Sequence, residues 1–207
     1  MEELLKQLMG EKTKRDVWDN YVPIITKDNI ITAFLTDEIS SPDNYNELYF
    51  TLLNAKKGDE AHIHINTPGG ILSAAFMIID AFEKTQAKVI CHLTGDVASA
   101  GTIIALAADE IRIAPFTSFM VHNYSSGVSG KGGELKALQK FNDEQLEKVF
   151  NECYKGFLTQ KEIDKVIEDK DIWLNDEEVK ARLKARENND IATLEQIAKE
   201  REERLKG

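Results

Sequence analysis

The sequence predicts an α/β fold assembled from repeated strand–turn–helix units. Two stretches carry that prediction. Ala61-His62-Ile63-His64-Ile65-Asn66 alternates polar and apolar residues as a half-buried strand does. It is followed by the turn Thr67-Pro68-Gly69-Gly70 and an amphipathic helical run over 71–84. Val89-Ile90-Cys91-His92-Leu93 has the length and β-branching of a buried strand. Thr94-Gly95-Asp96-Val97-Ala98-Ser99-Ala100-Gly101 turns the chain, and the apolar run 102–108 reads as a buried helix. Strand, small-residue turn and helix twice in succession argue for α/β units.

The other elements follow in order. Leu4, Leu5, Leu8 and Met9 fall at helical spacing before Gly10, so 1–16 reads as an amphipathic helix and a charged linker. Residues 29–35 form the first core strand. Ser41-Pro42 starts a helix that runs to about Lys57, with Gly58 ending it. Residues 111–115 and 118–122 are two short strands around a turn. Residues 123–133, rich in Ser and Gly, read as a flexible loop or a short edge strand. A long helix spans about 134–157, with Leu135, Leu138, Phe141, Leu146, Val149 and Phe150 on its apolar side. A shorter helix covers 162–169. Asp171-Ile172-Trp173-Leu174-Asn175 is extended and anchored by Trp173, and Asn175 or Asp176 caps the next helix. The tail 181–207 is dense in Lys, Arg and Glu and reads as solvated helix. The expected organisation is therefore 1–16, a body over 17–180, and a charged helical tail over 181–207.

Composition narrows the function. The net charge of -10 argues against nucleic acid, whose phosphates need a surplus of Lys and Arg. No run approaches the ~18 apolar residues of a membrane span, and Met1-Glu2-Glu3-Leu4-Leu5 lacks the basic start of a secretory signal. A cytoplasmic protein with no membrane partner is expected. Cys91 and Cys153 read as reduced thiols. His62 and His64 share a strand face, but no Cys or carboxylate completes a ligand set, so no metal or cofactor is expected.

Ser99 sits where a strand hands over to a helix. The first N–H groups of a helix lack partners and carry partial positive charge. A serine there is most often an N-cap, but the same setting suits a nucleophile and a developing oxyanion. A serine nucleophile needs a base and a group that orients the base. His122 ends an apolar strand and faces a polar loop, as a base at a cleft rim would. His92 reads as a core histidine. Asp171 is a plausible orienting carboxylate, although composition alone does not single it out.

The motifs together resemble the proteolytic subunits of Clp proteases. Ile65-Asn66-Thr67-Pro68-Gly69-Gly70 is similar to their I-N-S-P-G-G turn, and Gly95 to Gly101 to their G-x-A-A-S-M-G turn. Met120-Val121-His122 resembles their M-I-H segment, and Asp171 to Glu178 their D-x-F-L-T-A-E-E segment. The order matches, over about 17–180. The resemblance implies a crotonase-like spiral of β-β-α units with a projecting handle helix in the region 124–157. It implies a serine endopeptidase with Ser99 as nucleophile, His122 as base and Asp171 as orienting group. Gly70 and Ala100 would donate to the oxyanion, and Gly69, Ile71, Asn123, Tyr124 and Ser125 would bind peptide. It also implies homo-oligomeric rings, heptameric or doubly heptameric, and protein or peptide substrates.

Departures from the family pattern shape the expected role. The N-terminal segment does not resemble the family's axial loop, the loop after His122 lacks Gln-Pro, and the chain after Glu178 runs on as charged helix. These features resemble the divergent Clp-like proteases of tailed phages, which implies a prohead maturation protease acting on capsid or scaffold proteins. The alternative within the family is a degradative subunit fed by an AAA+ unfoldase. Two other classes compete. A crotonase-like acyl-CoA enzyme would use the two N–H donors without a triad, and a silent homologue would serve only in assembly. A Ser–Lys dyad would recruit Lys131 or Lys136.

Overall fold

Strands β3 (Glu60–Thr67) and β4 (Lys88–Ala98) run parallel at the middle of a seven-stranded sheet. A computed structural model describes residues 22–125 and 130–206. The amphipathic segment expected over 1–16 lies outside them, as do 126–129 of the Ser/Gly-rich loop. In β3 the alternation works as the sequence implies. Ala61, Ile63 and Ile65 are fully buried, and His62 and His64 look out from the other face. Burying one such Ile side chain contributes at most about 1.5–3 kcal/mol.

The edge of the sheet is a hairpin. β1 (Ile24–Lys27) pairs antiparallel with β2 (Ile30–Leu35), and β2 runs parallel to β3. A 3-10 turn (Pro42–Tyr45) leads into α1 (Asn46–Leu53), which stops before the expected end near Lys57. With α2 (Leu72–Lys84) and α3 (Ala100–Leu106), α1 buries Leu48, Leu52, Ala74, Ile78 and Ile104.

β4 is longer than its apolar run suggests, because it continues through Thr94-Gly95-Asp96 to Ala98. Its register against β3 slips between Ile65 and Thr67. At that slip Gly95 takes φ +63° and the Asp96 N–H donates to Asn66 Oδ1 at 3.1 Å. The first half of β4 pairs with β5 (Glu110–Ile113) and the second half with β6 (Ser118–Val121), both parallel. The two strands expected around a turn are therefore present, but each lies against a different half of β4.

Beyond β6 the chain makes a long excursion through α4 (Gly132–Cys153) and α5 (Gln160–Ile167). Leu146 and Phe150 of α4 are buried, whereas Leu138 and Phe141 are exposed, as on a helix that projects. β7 (Ile172–Asn175) returns antiparallel to β6. Trp173 does not anchor it: that side chain is 56% exposed, and Ile172 and Leu174 on the opposite face are buried. Asn175 caps α6 (Asp176–Glu187) by accepting from the Glu178 N–H at 2.9 Å. α7 (Ile191–Arg204) completes the described chain. The tail is helical but not simply solvated, since Arg182, Leu194 and Ala198 are buried.

Candidate active site

Ser99 occupies the N-cap position of α3, yet its hydroxyl makes no capping hydrogen bond. The backbone there is unusual, with φ +53° and ψ -123°. A non-glycine residue in the left-handed region costs about 1–3 kcal/mol and persists only where its surroundings hold it. Those surroundings are visible. The Ser99 N–H donates to Met120 O at 2.8 Å, and Ser99 O accepts from Thr102 N at 2.9 Å and Thr102 Oγ1 at 2.6 Å. The capping explanation fails, and a strained turn that presents a free hydroxyl takes its place.

The Pro68-Gly69-Gly70 turn lies against Ser99. Gly69 and Gly70 have φ +99° and +143°. A Cβ on Gly69 would come within 2.4 Å of Ser99 Cβ, and one on Gly70 within 2.2 Å of Ile39 O. Only glycine permits that approach. Ile39 fixes the turn from outside, donating to Gly69 O and accepting from Ile71 N, both at 2.7 Å. Thr67 Oγ1 accepts from Gly69 N at 3.1 Å and donates to Asp37 O at 2.6 Å. The N–H groups of Gly70 and Ala100 donate to no acceptor among the described residues.

Ser99, His122, Gly70 and Ala100 line one cleft of about 450 Å³, together with Ile71, Tyr124 and Ser125. Asp171 does not line it. The antiparallel ladder ends where Val121 pairs with Ile172, and His122 and Asp171 are the next residues beyond that last pair. No hydrogen bond joins His122 to Ser99 or to Asp171 among the described residues. Asn123 turns from the cleft into the adjoining groove, where its Nδ2 donates to Asp169 Oδ1 at 2.8 Å and Ile167 O at 3.2 Å. Lys131 and Lys136 do not line the Ser99 cleft.

Residues 12–182 match the family model described as Clp protease. The chain belongs to that family. The chain is 33% identical over 149 residues to ATP-dependent Clp protease proteolytic subunit 2 of Pseudomonas aeruginosa, covering 69% of this chain and 71% of that one. It is 30% identical over 184 residues to subunit 2 of Treponema denticola, covering 86% and 84% respectively. It is 34% identical over 137 residues to subunit 3 of Rhizobium meliloti, covering 62% and 67%. As a Clp-type serine peptidase it has the mixed α/β fold that its sequence implies. Clp family members form oligomeric rings and act with partner proteins. No helix among the described residues is long and apolar enough to cross a membrane.

Several residues that build this Clp site are absent from the sequence reading. Thr102 bonds both the Ser99 carbonyl and, at 2.5 Å, the Tyr154 hydroxyl. Tyr154 follows the end of α4 and lines the cleft with Leu146, Val149 and Phe150. Burial pushes the Tyr154 phenol well up, against the hydrogen bond to Thr102, so it stays neutral. Its only sequence signal is an aromatic in register with the apolar side of the long helix. The other missed residue is Glu38, in the same cleft.

The sheet face away from the helices carries a second cluster. His62 Nδ1 and His92 Nε2 are 2.9 Å apart, and the His64 ring stacks on both Phe34 and His92. His92 is therefore half-buried on this open face and not a core histidine. Among the described residues no His, Cys, Asp and Glu grouping is arranged to hold a metal.

Proposed function

We propose that Ser99, His122 and Asp171 form the catalytic triad of this Clp-type peptidase. Ser99 Oγ attacks the scissile carbonyl as His122 takes its proton. The oxyanion that forms is held by the N–H groups of Gly70 and Ala100. His122 then passes the proton to the departing amine, and water releases the acyl group by the reverse sequence. Asp171 orients the imidazole and offsets its charge. An extended peptide pairs with backbone at Gly69, Gly70 and Ile71 on one side and Asn123, Tyr124 and Ser125 on the other.

The observation that carries this reading is the uncapped Ser99 hydroxyl, presented at φ +53° into a cleft that His122 shares. The triad's hydrogen bonds close when a peptide or a neighbouring subunit settles the segment after His122, since catalytic contacts tighten in the complex. The same hydroxyl disfavours the crotonase and silent readings, neither of which needs a strained serine. Labelling with a fluorophosphonate and mapping the modified peptide tests it. Attachment at Ser99, lost in Ser99→Ala and His122→Ala, is expected. Attachment elsewhere removes Ser99 from the role.

In this proposal the peptidase works inside a homo-oligomeric ring, a heptamer or double heptamer, with exposed Leu138 and Phe141 of the projecting helix meeting a second copy. The charged helical tail and the phage-like departures favour prohead maturation of capsid or scaffold proteins over feeding by an AAA+ unfoldase. Cleavage of a folded capsid or scaffold protein with no ATPase added supports that role. A strict need for an unfoldase and nucleotide assigns the degradative one; the relatives' names call those proteins ATP-dependent.

A further inference from the structure

The cleft holding Ser99 is lined by apolar and neutral polar groups with one exception besides His122: the carboxylate of Glu38. Glu38 precedes Ile39, whose backbone bonds to Gly69 and Ile71 fix it beside the turn at both ends. Its place at the cleft is therefore set by backbone and not by a wandering loop. The carboxylate pairs with no Lys or Arg among the described residues. In this chain exposed acids often find cations, as Glu110 does with Lys88 and Arg112. The adjoining groove shares Tyr124 and Leu146 with the cleft and adds Asp143, Glu147 and Asp169, with no cationic side chain. Asp143 accepts from the Tyr124 hydroxyl at 2.8 Å and Asp169 from Asn123, so their carboxylates are held in place. The cleft and the groove that meets it at Tyr124 and Leu146 thus carry four carboxylates and no Lys or Arg among their lining residues.

We propose that Glu38 is a specificity-determining residue that selects peptides with a Lys or Arg side chain near the scissile bond. The inference rests on the cleft being the peptidase site proposed above. An extended peptide on Gly70 and Ile71 would carry one of its side chains past Glu38. A cationic side chain there gains an ion pair and an acidic one meets repulsion, each moderated by solvent because Glu38 is exposed. The apolar wall of Ile103, Leu146 and Phe150 accepts the uncharged neighbour.

The test is a set of internally quenched peptides of one neutral, apolar parent, with Lys, Gln or Glu placed in turn at the three positions on each side of the bond. The assembled full-length protein is used, and kcat/KM is compared within each protein. In the wild type Lys is expected to exceed Glu at one or more positions by about 1.5-fold to fivefold, the range for an exposed charge pair. In Glu38→Gln that ratio should fall towards one, and in Glu38→Lys it should invert. Because the ratio is internal to each variant, a general loss of activity does not affect it. Cleavage of the neutral parent with no preference for Lys over Glu overturns the selectivity alone. A preference unchanged in Glu38→Lys removes Glu38 from it. No cleavage of any peptide, with no fluorophosphonate labelling, rejects the peptidase site and the selectivity with it.

Discussion

Arg182 grips Glu162 with both ends of its guanidinium, Nη2 to Oε1 at 2.7 Å and Nη1 to Oε2 at 2.9 Å, with both residues buried. Nη1 also reaches Phe157 O at 3.1 Å, and Phe157 packs on Phe119 of β6. The charged α6 is thereby fastened to the layer that positions His122. Removing one member of a buried pair typically costs about 3–5 kcal/mol, because the other charge is stranded. Arg182→Ala should lower the thermal midpoint accordingly, while the double change Arg182→Met with Glu162→Leu should recover most of the loss.

The same pair gives a pH signature. Burial alone raises the Glu162 carboxyl, but the bonds and charge of Arg182, together with the Thr159 N–H and hydroxyl, outweigh it and leave the group below its ordinary value of 4.5. Its contribution is thus fully present above about pH 4.5 and is lost as pH falls through the folded value. In Arg182→Ala only the Thr159 N–H and hydroxyl still lower the group against burial, its largest influence, so the carboxyl should move up and the variant should gain stability as pH falls from 7 to 5. Thermal midpoints across that range check it; a variant that loses stability over the range would count against the account.

Gly69→Ala and Gly70→Ala should both silence the enzyme, for different reasons. The first drives a methyl towards Ser99 Cβ and Ala98 O, and the second into Ile39 O. Both also force alanine to positive φ. We expect at least about a hundredfold loss of kcat/KM, the scale of one lost oxyanion donor, and about 1–3 kcal/mol of destabilisation from overpacking. Activity assays on folded protein, verified by circular dichroism, separate the two effects.

Tyr154→Phe tests the link between α4 and the nucleophile turn. Thr102 Oγ1 keeps its bond to Ser99 O, so the turn should survive. Loss of one buried hydrogen bond should cost about 1 kcal/mol. Thr102→Val strands the Tyr154 hydroxyl and leaves the Ser99 carbonyl only the backbone N–H of residue 102, so it should cost more and lower fluorophosphonate labelling as well.

The histidine face should make the protein acid-sensitive. Burial, and the charge of His62, hold His64 below its ordinary value of 6.5. Burial, then His64, His62 and Arg112, do the same for His92, against a smaller opposing pull from Glu110. An unfolded chain takes up these protons first, so stability is complete above about pH 6.5 and declines as pH falls through the folded values. His64→Phe keeps the stack on Phe34 and removes one titrating ring. Its thermal midpoint should fall less between pH 7 and 5 than that of the wild type.

Much of this architecture was legible because its signals are local. The alternation in 61–66, the paired glycines at 69–70 and the small residues around Ser99 each act within a few positions. What escaped reading depends on distant partners. β1 is only four residues long and shows itself as a strand through β2. The strands over 110–113 and 118–121 look like a hairpin until β4 is long enough to hold one on each half. Arg182 looks like one more charge on a solvated helix until Glu162 comes under it. The candidate site divides the same way: the glycines beside Ser99 are a local signal, whereas Ser99 alone reads first as a cap and Asp171 stands out from the other acids only through its motif.

The ladder between β6 and β7 has a consequence for how the molecule can vary. Ser99 and His122 directly follow the adjoining strands β4 and β6, tied by the Ser99 N–H to Met120 O bond, and Asp171 directly precedes β7, whose Ile172 pairs with Val121. Everything between β6 and β7 is a detour whose two ends are pinned. Its exposed stretches can change in length through insertions and deletions, whereas the part that brings Leu146, Phe150 and Tyr154 to the cleft cannot, and the proposed alignment of Ser99, His122 and Asp171 leans on the pinned ends.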